Sequence, residues 1–303
     1  AQRGRLTLAT IVGPEGNPRD STEGAVELLA DHWGPIFQER KIQAEAALQV
    51  MPFTPVVPGG IVWKLDRMKF RELIAKPRDG APGPDGIPYS AWRCAGVPLM
   101  NVLFNAYEAF LGGTALPEGF NHSLMVFIPK GEEESDRGTV ARIPGSTRPI
   151  SLSNTASKFF ALAINRPLAQ VASRTVHPRQ RGFVAGRSLI DNVIEIAGYG
   201  QSYAIAEAED PAILLFDFAA AFPSLAHQWP FVVLRKMRIP RFMIQCIRGL
   251  YRDRSAEMVL LGQRWGLLPI LSCIRQGFLA SGSLFVLAMD PSIRYLLSQM
   301  FTT

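Results

Sequence analysis

Ile213-Leu214-Leu215-Phe216-Asp217-Phe218-Ala219-Ala220-Ala221-Phe222 is an apolar run that ends on one carboxylate and then, further on, one aromatic. Residues 212–216 do not alternate with polar ones, so a strand here would be covered on both faces, as at the centre of a sheet. Asp217 would then stand at the exit of that strand. Burying an unpaired carboxylate is unfavourable, and chains avoid it unless a cation or hydrogen-bond donors compensate. Two readings stay open at this point: a metal ligand, or a helix N-cap in front of the alanines.

Composition bounds the class. A chain of 303 residues with 48% hydrophobic content has enough apolar surface for a full core, expected in two subdomains. Cys94, Cys246 and Cys273 form no C-x-x-C pair and leave an odd count, which argues against a zinc ribbon or a disulfide framework. An intracellular setting, nuclear or cytoplasmic, is the expectation. No apolar run approaches the roughly 18 to 20 residues that span a bilayer, so no membrane partner is expected. The opening Ala1-Gln2-Arg3-Gly4-Arg5 has neither a signal core nor an initiator Met and reads as part of a longer polypeptide.

The net charge of +6 is unevenly spread. Between Arg137 and Arg187 lie nine basic residues (Arg137, Arg142, Arg148, Lys158, Arg166, Arg174, Arg179, Arg181 and Arg187) and no acid. An even spread would place about four acids there. Such a stretch is expected to meet phosphate, because Lys and Arg neutralise a nucleic-acid backbone or a triphosphate and Arg matches phosphate oxygens bidentately. A solvated cationic face without a partner is the plainer alternative.

Periodicity places the elements coarsely. Residues 1–75 mix helical stretches such as 25–38 with Pro/Gly breaks, carry no chemical signal, and read as an N-terminal extension or linker. The turn-rich segment 76–86 follows, with Asp85 as a turn residue rather than a ligand. Helical spacing covers 97–110, 154–173, 188–208, 230–238, 241–251 and 281–299. Strands are expected at 124–129 and 212–216, and as a hairpin at 255–261 and 264–270 turning on Gly262-Gln263.

Several short motifs then fall into one order. Gly83-Pro84-Asp85-Gly86-Ile87, Phe127-Ile128-Pro129-Lys130, Arg148-Pro149-Ile150-Ser151-Leu152 and Gln180-Arg181-Gly182-Phe183-Val184-Ala185-Gly186-Arg187-Ser188 precede Phe216-Asp217 with Phe222. Arg275-Gln276-Gly277 with Ser281-Gly282-Ser283-Leu284-Phe285 comes last. Over roughly 76–303 this resembles the reverse transcriptase domain of non-LTR, LINE-like retrotransposons, related to group II intron reverse transcriptases. The resemblance implies an α+β right-hand polymerase fold, an antiparallel palm sheet backed by helices at about 211–303 and fingers at about 76–210, with no thumb in the chain.

It also implies roles. Asp217, with the Phe218 backbone carbonyl, would hold two Mg2+ ions together with carboxylates from elsewhere; such ions sit about 3.5–4 Å apart and activate the primer hydroxyl and stabilise the leaving pyrophosphate. Lys130 and Arg148 would grip the triphosphate, and Phe222 would act as the steric gate that favours dNTPs. Gln276 and Gly277 would pack against the nascent base pair. Lys158, Arg181 and Arg187 would hold nucleic acid. The partners would be an RNA template, a DNA primer and dNTPs. The sequence does not fix the oligomeric state.

There are departures. Phe278-Leu279-Ala280 stand where the family usually carries Cys-Pro-Leu, Glu132-Glu133-Glu134 adjoin the proposed phosphate grip, and no Asp-Asp pair occurs. The family's aromatic-x-Asp-Asp motif would lie beyond Asp290, itself read as a capping or helix-breaking residue. Activity is therefore expected of the parent protein. The alternatives are a nucleic-acid-binding remnant without chemistry and an RNA-dependent RNA polymerase, the latter disfavoured by an aromatic at 222.

Overall fold

The computed structural model describes residues 8–77, 80–131, 140–206, 212, 213, 215–218, 220–272, 274 and 276–300. Glu132, Glu133, Glu134, Asp136, Arg137, Leu214, Ala219, Cys273 and Arg275 lie outside them.

The chain runs β1 (Leu8–Ile11), α1 (Thr22–Phe37), α2 (Ala44–Val50), α3 (Arg67–Ala75), α4 (Tyr89–Cys94), α5 (Gly96–Leu111), β2 (Ser123–Pro129), β3 (Val140–Arg142), β4 (Thr147–Ser153) and α6 (Thr155–Thr175). It continues through α7 (Ile190–Ile205), α8 (Ala221–Ser224), α9 (Gln228–Lys236), α10 (Arg241–Leu250), β5 (Ser255–Leu260), β6 (Gln263–Pro269) and α11 (Ser281–Met300). This is a mixed α+β fold. Local chemistry sets several boundaries: Ser21 Oγ accepts from Gly24 N at 3.1 Å to cap α1, and Asp66 Oδ1 accepts from Lys69 N at 2.8 Å to cap α3.

The four-stranded sheet has the order β4-β2-β5-β6. β2 runs antiparallel to β4, with Ile128 opposite Arg148, and parallel to β5. The β5–β6 hairpin turns on Leu261 and Gly262, both at positive φ (51° and 78°), one residue earlier than the sequence suggests. Two left-handed residues are what a tight hairpin turn with native twist demands.

Alternation along β2 buries Met125 and Phe127 against α1, whose Leu29, Trp33 and Phe37 form that core with Met258, Leu260 and Leu268. Within the stretch 1–75, expected as an extension or linker, residues 8–37 supply a layer of the sheet's core. A second core joins α3, α5, α6, α9, α10 and α11. The apolar stripe anticipated on α6 is its centre, with Phe159, Phe160, Ile164, Leu168 and Val171 all buried.

One expectation fails. Residues 212, 213 and 215–218 form no strand, and Leu215 and Phe216 are 84% and 88% exposed rather than covered on both faces. A strand is held by the N–H and C=O groups of a neighbour. The outer strands of the sheet are β4 and β6, and neither pairs with this segment.

Candidate active site

Strand β4 is where the motif segments meet. On one side, Gly83 lies so close to the β4–α6 junction that a Cβ there would stand 2.3 Å from Asn154 N and 2.4 Å from Ser153 C, so only glycine fits. Asp85 closes the turn as expected: its Oδ1 accepts from Ile87 N at 3.0 Å. Thr155 Oγ1 donates to Ile87 O at 2.9 Å and ties the same turn to the start of α6.

On the other side, Ser151 N donates to Gln276 O at 3.0 Å. Gly277 (φ 92°) presses against the strand, where a Cβ would fall 2.7 Å from Ser151 O. The backbone of the Gln276-Gly277 loop therefore lies directly on Arg148-Pro149-Ile150-Ser151-Leu152. Gln276 Oε1 is buried and has no hydrogen-bond partner among the described residues.

Lys130 and Arg148 are both exposed, and the parity of the strands puts them on the face of Ile128. Lys130 Nζ donates to Gly145 O at 2.7 Å. His32 on α1 is close enough for the Lys130 charge to matter: partial burial, then Lys130, holds its pKa below the ordinary value.

A ring cluster sits below the loop. Phe222 stacks on Phe285 of α11, centroids 4.5 Å apart and planes 17° apart, and meets Phe183 edge-on at 5.4 Å. Phe183 has φ 57°, a costly backbone state for a bulky residue. Gly282 leaves it room, since a Cβ there would approach the Phe183 ring to 3.0 Å. Ile274 N donates to Phe222 O at 2.9 Å, which joins this cluster to the loop before α11. Phe183 and Phe285 lie inside motifs quoted above, but spacing alone assigns them no contact with Phe222.

Asp217 and Phe218 are exposed. Among the described residues no group of three His, Cys, Asp or Glu side chains converges as a metal site. Carboxylate and carbonyl oxygens suit Mg2+ in kind, but Asp217 and the Phe218 carbonyl fall short of its near-octahedral set.

Part of the basic stretch is spent on the fold, while Arg148, Arg166, Arg174 and Arg179 are exposed. Lys158 is buried, its Nζ donating to Ala81 O at 2.8 Å and lying over the Tyr89 ring. Arg187 donates to the carbonyls of Val176, His177 and Gln180 at 2.9, 2.6 and 2.7 Å. Arg181 is paired with Glu195 at 2.5 Å and bonds Asn192 Oδ1 at 2.6 Å, so acids just beyond the basic window neutralise it. Arg142 is buried. Lys158, Arg181 and Arg187, expected to hold nucleic acid, thus have protein partners in this structure. Asp290, 1% exposed, accepts from Arg294 Nε and from His177 N, each at 2.7 Å, and pins the end of α6 to α11.

The pattern of the reverse transcriptase (RNA-dependent DNA polymerase) family matches residues 128–302. The chain belongs to this family. Its relatives are of the LINE-like kind. It is 26% identical over 299 residues to a 149 kDa protein of transposon TX1 from Xenopus laevis, described as uncharacterized, covering 95% of this chain and 22% of that protein. It is 26% identical over 278 residues to the Pol polyprotein of the type-1 retrotransposable element R2 from Bradysia coprophila, 89% of this chain and 29% of that protein. The R2 polyprotein of Nasonia vitripennis is 24% identical over 236 residues, 78% and 22% of the two chains. The reverse transcriptase chain thus spans less than a third of the length of these relatives. No described helix is long and apolar enough to cross a membrane.

Proposed function

We propose that this chain is the fingers (about 76–210) and palm (about 211–303) of an RNA-directed DNA polymerase of a LINE-like element, acting within a longer protein on an RNA template, a DNA primer and dNTPs. The observation that carries the reading is the packing of Gln276-Gly277 on Ile150 and Ser151 of β4, the strand that carries Arg148. It supports a nucleotide site between the motif segments, with the Phe222 cluster as its neighbour.

In this reading Lys130 and Arg148 bind the triphosphate from the exposed face of β2 and β4 and spread the charge that develops on it. Phe222, held by Phe183 and Phe285, excludes a 2′-hydroxyl. Asp217 and the Phe218 carbonyl would hold Mg2+ only together with ligands from elsewhere, and the metal would supply activation of a hydroxyl and neutralisation of the leaving group. Asp217 contributes one carboxylate, its exposed segment being closed into the palm by other parts of the protein. A reducing nuclear or cytoplasmic setting belongs to the same proposal.

The test is primer extension on an RNA template by the natural-length protein. Arg148→Ala raises the KM for dNTPs, and Phe222→Ala increases ribonucleotide incorporation relative to deoxynucleotides. Unchanged discrimination in Phe222→Ala would remove the gate. A second reading, a binding remnant without chemistry, is favoured by the exposure of residues 213 and 215–218 outside the sheet; it predicts template binding without extension.

A further inference from the structure

The sequence holds a second basic stretch, at 235–254, and the structure presents part of it on one helix face. Residues 235–254 contain Arg235, Lys236, Arg238, Arg241, Arg248, Arg252 and Arg254, with Asp253 the one acid. Helix α10 sorts them. Met243, Ile244, Cys246, Ile247 and Leu250 face the core, while Arg241, Gln245, Arg248 and Arg252 are exposed. Their spacing of four, three and four residues puts all of them on one side of the helix and its C-terminal turn. At 1.5 Å per residue that stripe is about 16 Å long.

The stripe borders a cavity of ≈ 1350 Å³ between α10, α9 and the loop that follows α5; Arg235, Gln245, Arg248, Arg252 and Phe231 are in its wall, and Lys130, Arg148, Phe222, Gln276 and Gly277 are not. Small-molecule pockets run to about 1,000 Å³, so this volume suits a polymer segment better. The Arg248 guanidinium lies over the Phe231 ring, 5.0 Å from its centroid. Asn121 Nδ2 donates to Gly249 O and Arg252 O, both at 2.8 Å, and fixes the end of the stripe. Among the described residues, Arg252 pairs with its neighbour Asp253 at 3.6 Å, and no ion pair is formed by Arg235, Arg241 or Arg248.

We infer that the outer face of α10 with Arg235 of α9 is a second nucleic-acid track, binding the phosphodiester backbone of a single strand away from the proposed nucleotide site. Cations in register along one face, interleaved with an aromatic ring, match single-strand grooves, in which charge follows the backbone and planar groups take bases. The choice of nucleic acid over another polyanion rests on the polymerase reading. The chemistry is shared by RNA and DNA, which the assay separates.

The experiment uses the 303-residue chain and fluorescein-labelled 20-mers of identical sequence as single-stranded RNA and DNA, read by anisotropy over a salt series. Each single-strand phosphate contact contributes about 0.7 to the slope of log K against log salt. Losing the three contacts of Arg241→Glu/Arg248→Glu/Arg252→Glu therefore flattens the slope by about 2 and weakens binding about 100-fold at 0.1 M salt. The milder Arg→Gln triple variant moves the same way and guards against misfolding, checked by circular dichroism. Photocrosslinks from 4-thiouridine RNA fall within 228–255. If the wild-type chain binds neither oligonucleotide, both the polymerase reading and the track fall. If it binds, Lys130→Glu/Arg148→Glu abolishes binding, and the α10 variants keep wild-type affinity, the track alone is overturned. Equal loss for RNA and DNA supports a backbone track; loss for one alone supports it with that strand as ligand.

Discussion

Gly277→Ala puts the contact between the motif loop and β4 to a quantitative test. Two costs arise at this position. Alanine at φ 92° occupies a backbone region that only glycine adopts easily, worth about 1–3 kcal/mol. Its Cβ would also sit 2.7 Å from Ser151 O, a clash with backbone that cannot rotate away, and overpacking of this kind costs about 1–3 kcal/mol. Together they give about 2–6 kcal/mol against a total stability of about 5–15 kcal/mol. The loop is expected to lift off β4, breaking the bond from Ser151 N to Gln276 O. Urea denaturation followed by circular dichroism reads the loss as a lowered midpoint. Gly182→Ala is the control, since its Cβ would meet nothing within 4 Å and it has no positive φ; it should stay within about 0.5 kcal/mol of wild type. A Gly277→Ala midpoint as high as the control's would refute the packing argument.

Two further outcomes follow from buried and titrating groups. Asp290→Ala leaves Arg294 Nε and His177 N without their acceptor, although Arg294 Nη2 keeps Thr175 O, and is expected to cost about 1–3 kcal/mol; thermal melting checks it, and a melting temperature unchanged to within about 1 °C would show the clamp to be dispensable. His32 and His177 both have pKa values held below the ordinary one, each first by burial and then by neighbouring cations, Lys130 and Arg294 respectively. The unfolded chain therefore takes up protons that the folded one refuses: stability is fully present above the unfolded value, about 6.5, and falls as pH drops through it. Urea midpoints between pH 7.5 and 5 should decline, and His32→Gln should flatten the decline; an unaltered slope would contradict the His32 assignment.

How much of this was legible in the sequence depends on whether local pattern or long-range contact decides a residue's fate. The stripe on α6 and the β5–β6 hairpin could be read because their periodicity and turn chemistry are local. The strand at 212–216 could not, because a strand exists only through a partner, which composition does not name. Counting charges located a basic window, yet whether Arg187 meets a phosphate or three carbonyls of its own loop is a matter of tertiary geometry. Arg181 shows the same limit, since Asp191 and Glu195 come from the following helix. The stripe on α10 was visible in principle, through exposed cations at helical spacing over 241–252, but its charge is diluted by the apolar face between them. The aromatic trio of Phe183, Phe222 and Phe285 joins three separate motifs and is a product of the fold alone.

The central claim concerns Asp217, proposed above as a metal-binding carboxylate on the motif order. Primer extension on an RNA template with Mg2+ and dNTPs, by the natural-length protein and its Asp217→Ala and Asp217→Asn variants, tests it directly. The account predicts DNA synthesis by the wild type and its loss in both variants, with template binding retained. Extension at the wild-type rate by Asp217→Ala would contradict it.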